Sequence, residues 1–170
     1  MILATDFKCF VKILFSVCLL FFQRASIFAQ NQKVADSLVK IYQKNKLENS
    51  EKLELLRNLS FNEVNNLELS LKYADELIAL SKLEKKYLYL HRGYYQKGNK
   101  NRLIGDLNKA LNDFFKSAEA ASKAKFITGK GVAYMSIADV YSIMGNVSNA
   151  EVYYTKSIDL LRKTKDSIAL

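Results

Sequence analysis

Hydrophobic and polar positions follow a helical spacing along most of the chain, and the pattern returns every 40 residues in register. Between positions 134 and 160 the marked columns are Tyr134, Met144, Gly145, Val147, Ala150 and Tyr154. Forty residues earlier they hold Tyr94, Ile104, Gly105, Leu107, Ala110 and Phe114, and forty earlier again Glu54, Val64, Asn65, Leu67, Ser70 and Ala74. A fixed period of this size predicts stacked helical hairpins. One such hairpin cannot bury its apolar face alone, and stacking supplies the neighbour it needs. The fold class expected is all-α: a solenoid of antiparallel helix hairpins, three repeats of 40 residues behind a leading helix.

Within that frame, 32–44 places Val34, Leu38, Ile41 and Tyr42 on one helical face, as a cap on the stack. A polar break over 45–49 follows, and Ser50 is positioned to cap the next helix, with Glu51 in its first turn. The hairpins are expected at 50–63 with 67–82, 84–104 with 107–124, and 131–144 with 148–163. Asn65, Gly105 and Gly145 share the column where a helix ends in a left-handed residue, which Gly or Asn adopts at least cost. Ser148 and Glu151 have the spacing of a capping box. The small column Ser70, Ala110, Ala150 marks close approach within each hairpin, and the column Ala74, Phe114, Tyr154 should fill the gap to the neighbouring helix. A third column reads Phe61, Asn101, Tyr141, in which Asn101 breaks an aromatic pattern.

These residues resemble the tetratricopeptide repeat, in which the first helix carries a large residue and later a Tyr, and the second carries Ala, then Phe or Tyr, then a small residue. The third repeat matches at Tyr134, Ile137, Ala138, Tyr141, Gly145, Ala150, Tyr154 and Ser157, and the second at Tyr94, Gly98, Gly105, Ala110, Phe114 and Ser117. The first keeps mainly Phe61, Asn65, Ser70 and Ala74. The proline usual after the second helix is absent; Lys82, Ser122 and Arg162 stand there. The resemblance implies a right-handed solenoid, with repeats at 50–83, 84–125 and 126–165 after the leading helix and turn at 30–49, and with 166–170 beginning a further helix. It also implies an apolar C-terminal edge, open to a further repeat or to self-association.

The first 29 residues are of another kind. Lys8 and Lys12 precede the apolar run 13–22, and Ile27, Phe28 and Ala29 precede Gln30. That is the layout of a secretory signal peptide cleaved after Ala29. The run is shorter than the roughly 20 apolar residues of a membrane span, so export to the periplasm is expected. Contact with a membrane would come only through a segment further downstream. Both cysteines, Cys9 and Cys18, fall in this leader. The mature chain would therefore hold no disulfide, catalytic thiol or cysteine-ligated metal. The formal charge is +9, spread along the helices without a block of like charges. With export, that argues against nucleic acid and for a solvated basic surface.

Catalytic chemistry finds no support in the residues. His91 is the only histidine, expected at the surface or in a groove, and no nucleotide-binding, nucleophile-elbow or metalloprotease motif is present. No cofactor and no metal are expected. The candidate site is the concave face that first helices line in the resembled family. By register it carries Lys52, Leu55, Leu59 and Asn62; then Arg92, Tyr95, Asn99 and Arg102; then Val132, Met135, Asp139 and Ser142. Arg92, Asn99 and Arg102 lie near one helix face and can hold a peptide carboxylate or backbone through charge-assisted bonds. Tyr95 and Met135 add apolar contact.

The stretches 35–61, 71–82, 96–111 and 137–146 are also similar to exported helical-repeat regions of Bacteroidetes-type signalling proteins. There, such a region precedes a membrane helix and a cytoplasmic adenylate/guanylate cyclase, histidine kinase or DNA-binding output. The resemblance implies a non-catalytic protein–protein interaction module, the periplasmic sensory N-terminal part of a larger signalling protein. The alternative is a stand-alone periplasmic scaffold or adaptor.

Overall fold

From Leu67 to Ile143 each helix runs 17 residues and is followed by a turn of three, so helix starts fall 20 residues apart. The structure, a computed structural model, describes residues 32–44 and 47–166. Seven helices make up the described residues: α1 over 32–43, then α2 (Asn49–Asn62), α3 (Leu67–Leu83), α4 (Tyr87–Leu103), α5 (Leu107–Lys123), α6 (Ile127–Ile143) and α7 (Val147–Asp166). They form an all-α helical-repeat solenoid of three hairpins, α2–α3, α4–α5 and α6–α7, behind the leading helix. The expected signal peptide and Ser167–Leu170 lie outside the described residues. α6 begins four residues before the expected 131, and α7 runs past the expected 163 to Asp166.

Four of the turns are alike. Lys85, Gly105, Lys125 and Gly145 have φ of 52°, 82°, 55° and 75°. In each, the next residue's N–H reaches back to the helix, as in Asp106 N to Asn101 O at 2.9 Å and Lys86 N to Ser81 O at 2.9 Å. This is the Schellman arrangement. Glycine serves the two turns inside hairpins, as expected; lysine serves the two between hairpins, where the sequence carried no such signal.

Asn65 does not join that set. In the first hairpin the helix ends in extended backbone at Glu63, and side chains hold the turn. Glu63 Oε1 accepts from the N–H groups of Asn65 (3.1 Å) and Asn66 (2.8 Å), while Gln32 Oε1 accepts from those of Val64 (3.2 Å) and Asn65 (3.1 Å). With its amides already bonded to side chains, the turn has no need of a left-handed residue.

The caps also fall elsewhere than expected. Asn66, Asp106 and Asn146 accept from the N–H of Leu69, Lys109 and Asn149 at 2.9, 3.2 and 3.2 Å. Ser50 lies inside α2, and Ser148 inside α7, whose cap is Asn146 one turn residue earlier.

Packing follows the small column. Ser70, Ala110 and Ala150 are buried, and Ser70 Oγ donates to Ser60 O at 2.9 Å across the first hairpin. Ala74 and Phe114 are fully buried, but Tyr154 is not. It reaches outward to donate to Asp139 Oδ1 at 2.7 Å, and its neighbour Tyr153 packs against Tyr141 and Tyr134 instead. Phe61 is 53% exposed, so that column is not a packing column in the first repeat. Asn101 is buried because its amide donates to Asp113 Oδ2 at 2.7 Å.

On α1 the inward face is Ala35, Leu38, Val39 and Tyr42, while Val34 and Ile41 point outward. Tyr42 sets the angle: its ring meets Tyr73 edge-on at 5.4 Å and its hydroxyl donates to Glu76 Oε2 at 2.6 Å. Burial, with the adjacent Glu76 carboxylate, pushes the Tyr42 phenol up to about 12.

Candidate functional site

The first helices of successive hairpins touch: α2 meets α4, and α4 meets α6. The backbones of the second helices α3, α5 and α7 stay farther apart and make no such approach to one another. An array that closes on one side and splays on the other is curved, and the α2–α4–α6 side is its concave face.

On that face the sequence-expected residues of α4 are brought together with acidic residues of both neighbours. Arg92 Nη1 lies 3.9 Å from Glu54 Oε2 on α2, and its guanidinium stands over the Tyr89 ring, 5.6 Å from the centroid. Arg102 Nη1 lies 3.6 Å from Asp139 Oδ2 on α6, and its Nη2 donates to Asn99 Oδ1 at 3.4 Å. Ten residues of helix put the two arginines about 15 Å apart along α4. Each therefore staples α4 to a different neighbour.

Glu54 is the hub that sequence reasoning missed. Arg57 bonds its Oε1 through both Nε and Nη2, and Tyr89 donates to its Oε2 at 3.1 Å. The Arg57 bond holds the Glu54 carboxyl below its ordinary range, and Tyr89 and Arg92 add to the effect. The only available signal was that Glu54 occupies the column of Tyr94 and Tyr134, which read as decay of the repeat.

Other expected groove residues turn out to be structural. Leu55 and Leu59 are buried in the core that α2 shares with α3 and α1 and are not open to the groove. Tyr95 forms floor more than wall: its ring packs on Phe114 at 5.6 Å and on His91 at 6.0 Å, while its hydroxyl accepts from Ser136 Oγ at 3.4 Å. Asn99 is half-buried, Met135 is 40% exposed and Ser142 is exposed. Asn62 donates to Asn58 O at 2.8 Å along its own helix, and Lys52 and Val132 are half-buried.

His91 is not at the surface or in the groove. It is buried, with Nδ1 2.8 Å from Ser117 Oγ and 3.1 Å from Ser117 O, and Phe126 edge-on at 5.6 Å. Burial pulls its imidazole below the ordinary value. Ser117 Oγ donates to His91 O at 3.1 Å, so the pair ties α4 to α5. Among the described residues no group of three or more His, Cys, Asp or Glu could hold a metal ion, and no helix is long and apolar enough to cross a membrane.

What this face can do chemically is bind. It offers guanidinium groups in partly exposed pairs, flanked by an amide at Asn99 and a thioether at Met135. Among solved structures, the chain is similar in shape to the TPR domain of Arabidopsis FLU, at a TM-score of 0.62 and 17% identity, over 68% of this chain and 99% of that one. No protein-family model matches the chain, and its sequence has no significant match among curated proteins.

Proposed function

We propose that this chain is a non-catalytic protein–protein interaction module that takes a peptide segment on the concave face of α2, α4 and α6. The observation that carries the reading is the state of Arg92 and Arg102. Each is paired at 3.9 or 3.6 Å with a carboxylate whose side chain is 43% or 36% exposed. Exposed pairs of this length contribute little stability, and a ligand carboxylate can take their place at hydrogen-bonding distance. The tetratricopeptide-like fold supports the same use of the face. The basic start, apolar run and Ala29 of the leader support export, and the likeness of 35–61, 71–82, 96–111 and 137–146 to exported repeat regions of signalling proteins supports a periplasmic sensory role at the N-terminal end of a larger protein of the cyclase or kinase type.

Panning a displayed random-peptide library on the chain tests the binding reading. Selected peptides should bind wild-type protein and lose about tenfold or more on R92A/R102A. Peptides that hold the double variant as tightly as wild type would reject the concave face as the site. For the export reading, mass spectrometry of the secreted protein should find a chain beginning at Gln30.

A further inference from the structure

The splayed outer side leaves two gaps, one between α3 and α5 floored by α4, the other between α5 and α7 floored by α6. The 40-residue register pairs their linings column by column. In the second gap Phe115, Tyr134 and Tyr141 all close on Tyr153, with ring centroids 5.5 to 5.8 Å apart. The same columns in the first gap hold Asp75, Tyr94, Asn101 and Asp113. Rings zip the second gap along its middle and leave a hollow of about 210 Å³ only toward Leu160 and Lys163. Carboxylates and an amide leave the first one open, as two adjoining hollows of about 390 and 330 Å³ that share Lys82, Tyr94 and Lys116.

The polar groups of this gap are mutually held. Asn101 and Asp113 are each 4% exposed and bonded to one another, and Lys97 Nζ donates to Asp75 Oδ1 at 2.6 Å. Those bonds hold one oxygen of each carboxylate, and two further cations, bonded to neither, stand over the gap; Lys116 acts on Asp113 only through space. Lys82 from the α3 wall and Lys116 from the α5 wall each place Nζ 5.7 Å from the centroid of the Tyr94 ring. Among the described residues neither forms an ion pair. Lys116 is also the middle of a rail. Lys109, Lys116 and Lys123 follow one another at intervals of seven on α5, and all three line the hollows. The outer two form ion pairs only locally, with Asp106 and Glu119, and Lys123 Nζ also stands 5.9 Å from the centroid of the Tyr87 ring.

Seven helical residues rise about 10.5 Å. A polyproline II segment rises about 9.3 Å per turn of three residues, about 1.2 Å short of the lysine interval, a difference that flexible lysine side chains take up, so every third side chain comes within reach of a lysine of the rail. A bare polyanion would use the lysines alone. The floor and walls also present Tyr87, Leu90, Tyr94 and Ile78, which suit a chain with apolar groups between its charges. We infer that the α3–α5 trough, on the face opposite the arginine pairs, binds an extended acidic peptide segment with carboxylates at every third residue.

The test uses an acetylated heptapeptide with glutamate at its first, fourth and seventh positions and proline and alanine between, against the same peptide with glutamine. Binding is followed by fluorescence anisotropy and by amide shifts in the full chain. The glutamate peptide should bind and move the amides of Tyr94, Asn112 and Lys116. K82Q/K116Q, both at exposed or half-exposed side chains, should weaken it by about tenfold or more. R92A/R102A should leave it unchanged, which separates this trough from the concave face. Equal binding of the glutamine peptide, indifference to K82Q/K116Q, no binding at millimolar peptide, or tighter binding of a sulfated glycan than of the peptide would each overturn the inference.

Discussion

The Phe114 ring lies directly on the backbone of α4 at Gly98: a methyl group at position 98 would stand 2.8 Å from Phe114 Cε1 and 2.9 Å from Cδ1. Phe114 is the largest of the fully buried side chains, and Tyr95, one turn before Gly98 on the same helix, also packs on its ring. The ring is closely packed. Gly98→Ala should therefore destabilise the fold by about 1–3 kcal/mol through overpacking, against the roughly 1 kcal/mol that alanine gains in helix propensity. Urea unfolding of the variant measures the balance, and a midpoint above wild type would show that the ring moves freely.

Tyr153 and Tyr154 should differ sharply. Tyr153 meets Phe115, Tyr134 and Tyr141, with Lys156 Nζ 4.6 Å above its ring. Tyr154 is on the outside, bonded to Asp139. Tyr153→Ala is expected to cost about 3 kcal/mol, and Tyr154→Ala little. Thermal melts of the two variants decide it; equal losses would mean that the aromatic cluster is not what holds α7.

The first turn of α7 gives a second paired comparison. Asn146→Ala removes the side chain that accepts from Asn149 N and should cost about 1 kcal/mol. Ser148→Ala leaves that bond in place and should be neutral. Hydrogen exchange of the amides from 149 to 151 locates the effect, and faster exchange in the serine variant alone would restore the capping-box reading.

His91 should titrate below the ordinary 6.5, because burial disfavours its charged form. The unfolded chain takes up a proton at this site at higher pH than the folded one. Stability is thus complete above about 6.5 and declines as pH falls from there toward the folded value. Since this is the only histidine, its ring resonances can be followed without assignment. A midpoint at or above 6.5 would contradict the buried, neutral imidazole.

Much of the architecture could be read from the columns. Gly105 and Gly145 mark turns because their backbone needs positive φ, and Ser70, Ala110 and Ala150 mark helix contacts because nothing larger fits. Charged and polar positions were less legible. Lys85 and Lys125 take the same left-handed turn with no preferred residue to announce it. Glu54 looks like a lost tyrosine until Arg57, Tyr89 and Arg92 converge on it from two helices. Asn101 makes sense only once Asp113, twelve residues on, is seen opposite. Periodicity reports which residues face inward; it is silent on which polar groups find each other there.

The unequal outer gaps have a mechanical meaning. Between α5 and α7, Phe115 and Tyr153 join the two helices ring to ring, and any widening must first part them. Between α3 and α5 no such contact crosses, and the join rests on α4 beneath. A load that straightens the curved array must part Phe115 from Tyr153 at the second junction; at the first it meets no ring pair across the outer side, and the resistance there comes from the packing of α3 and α2 on α4.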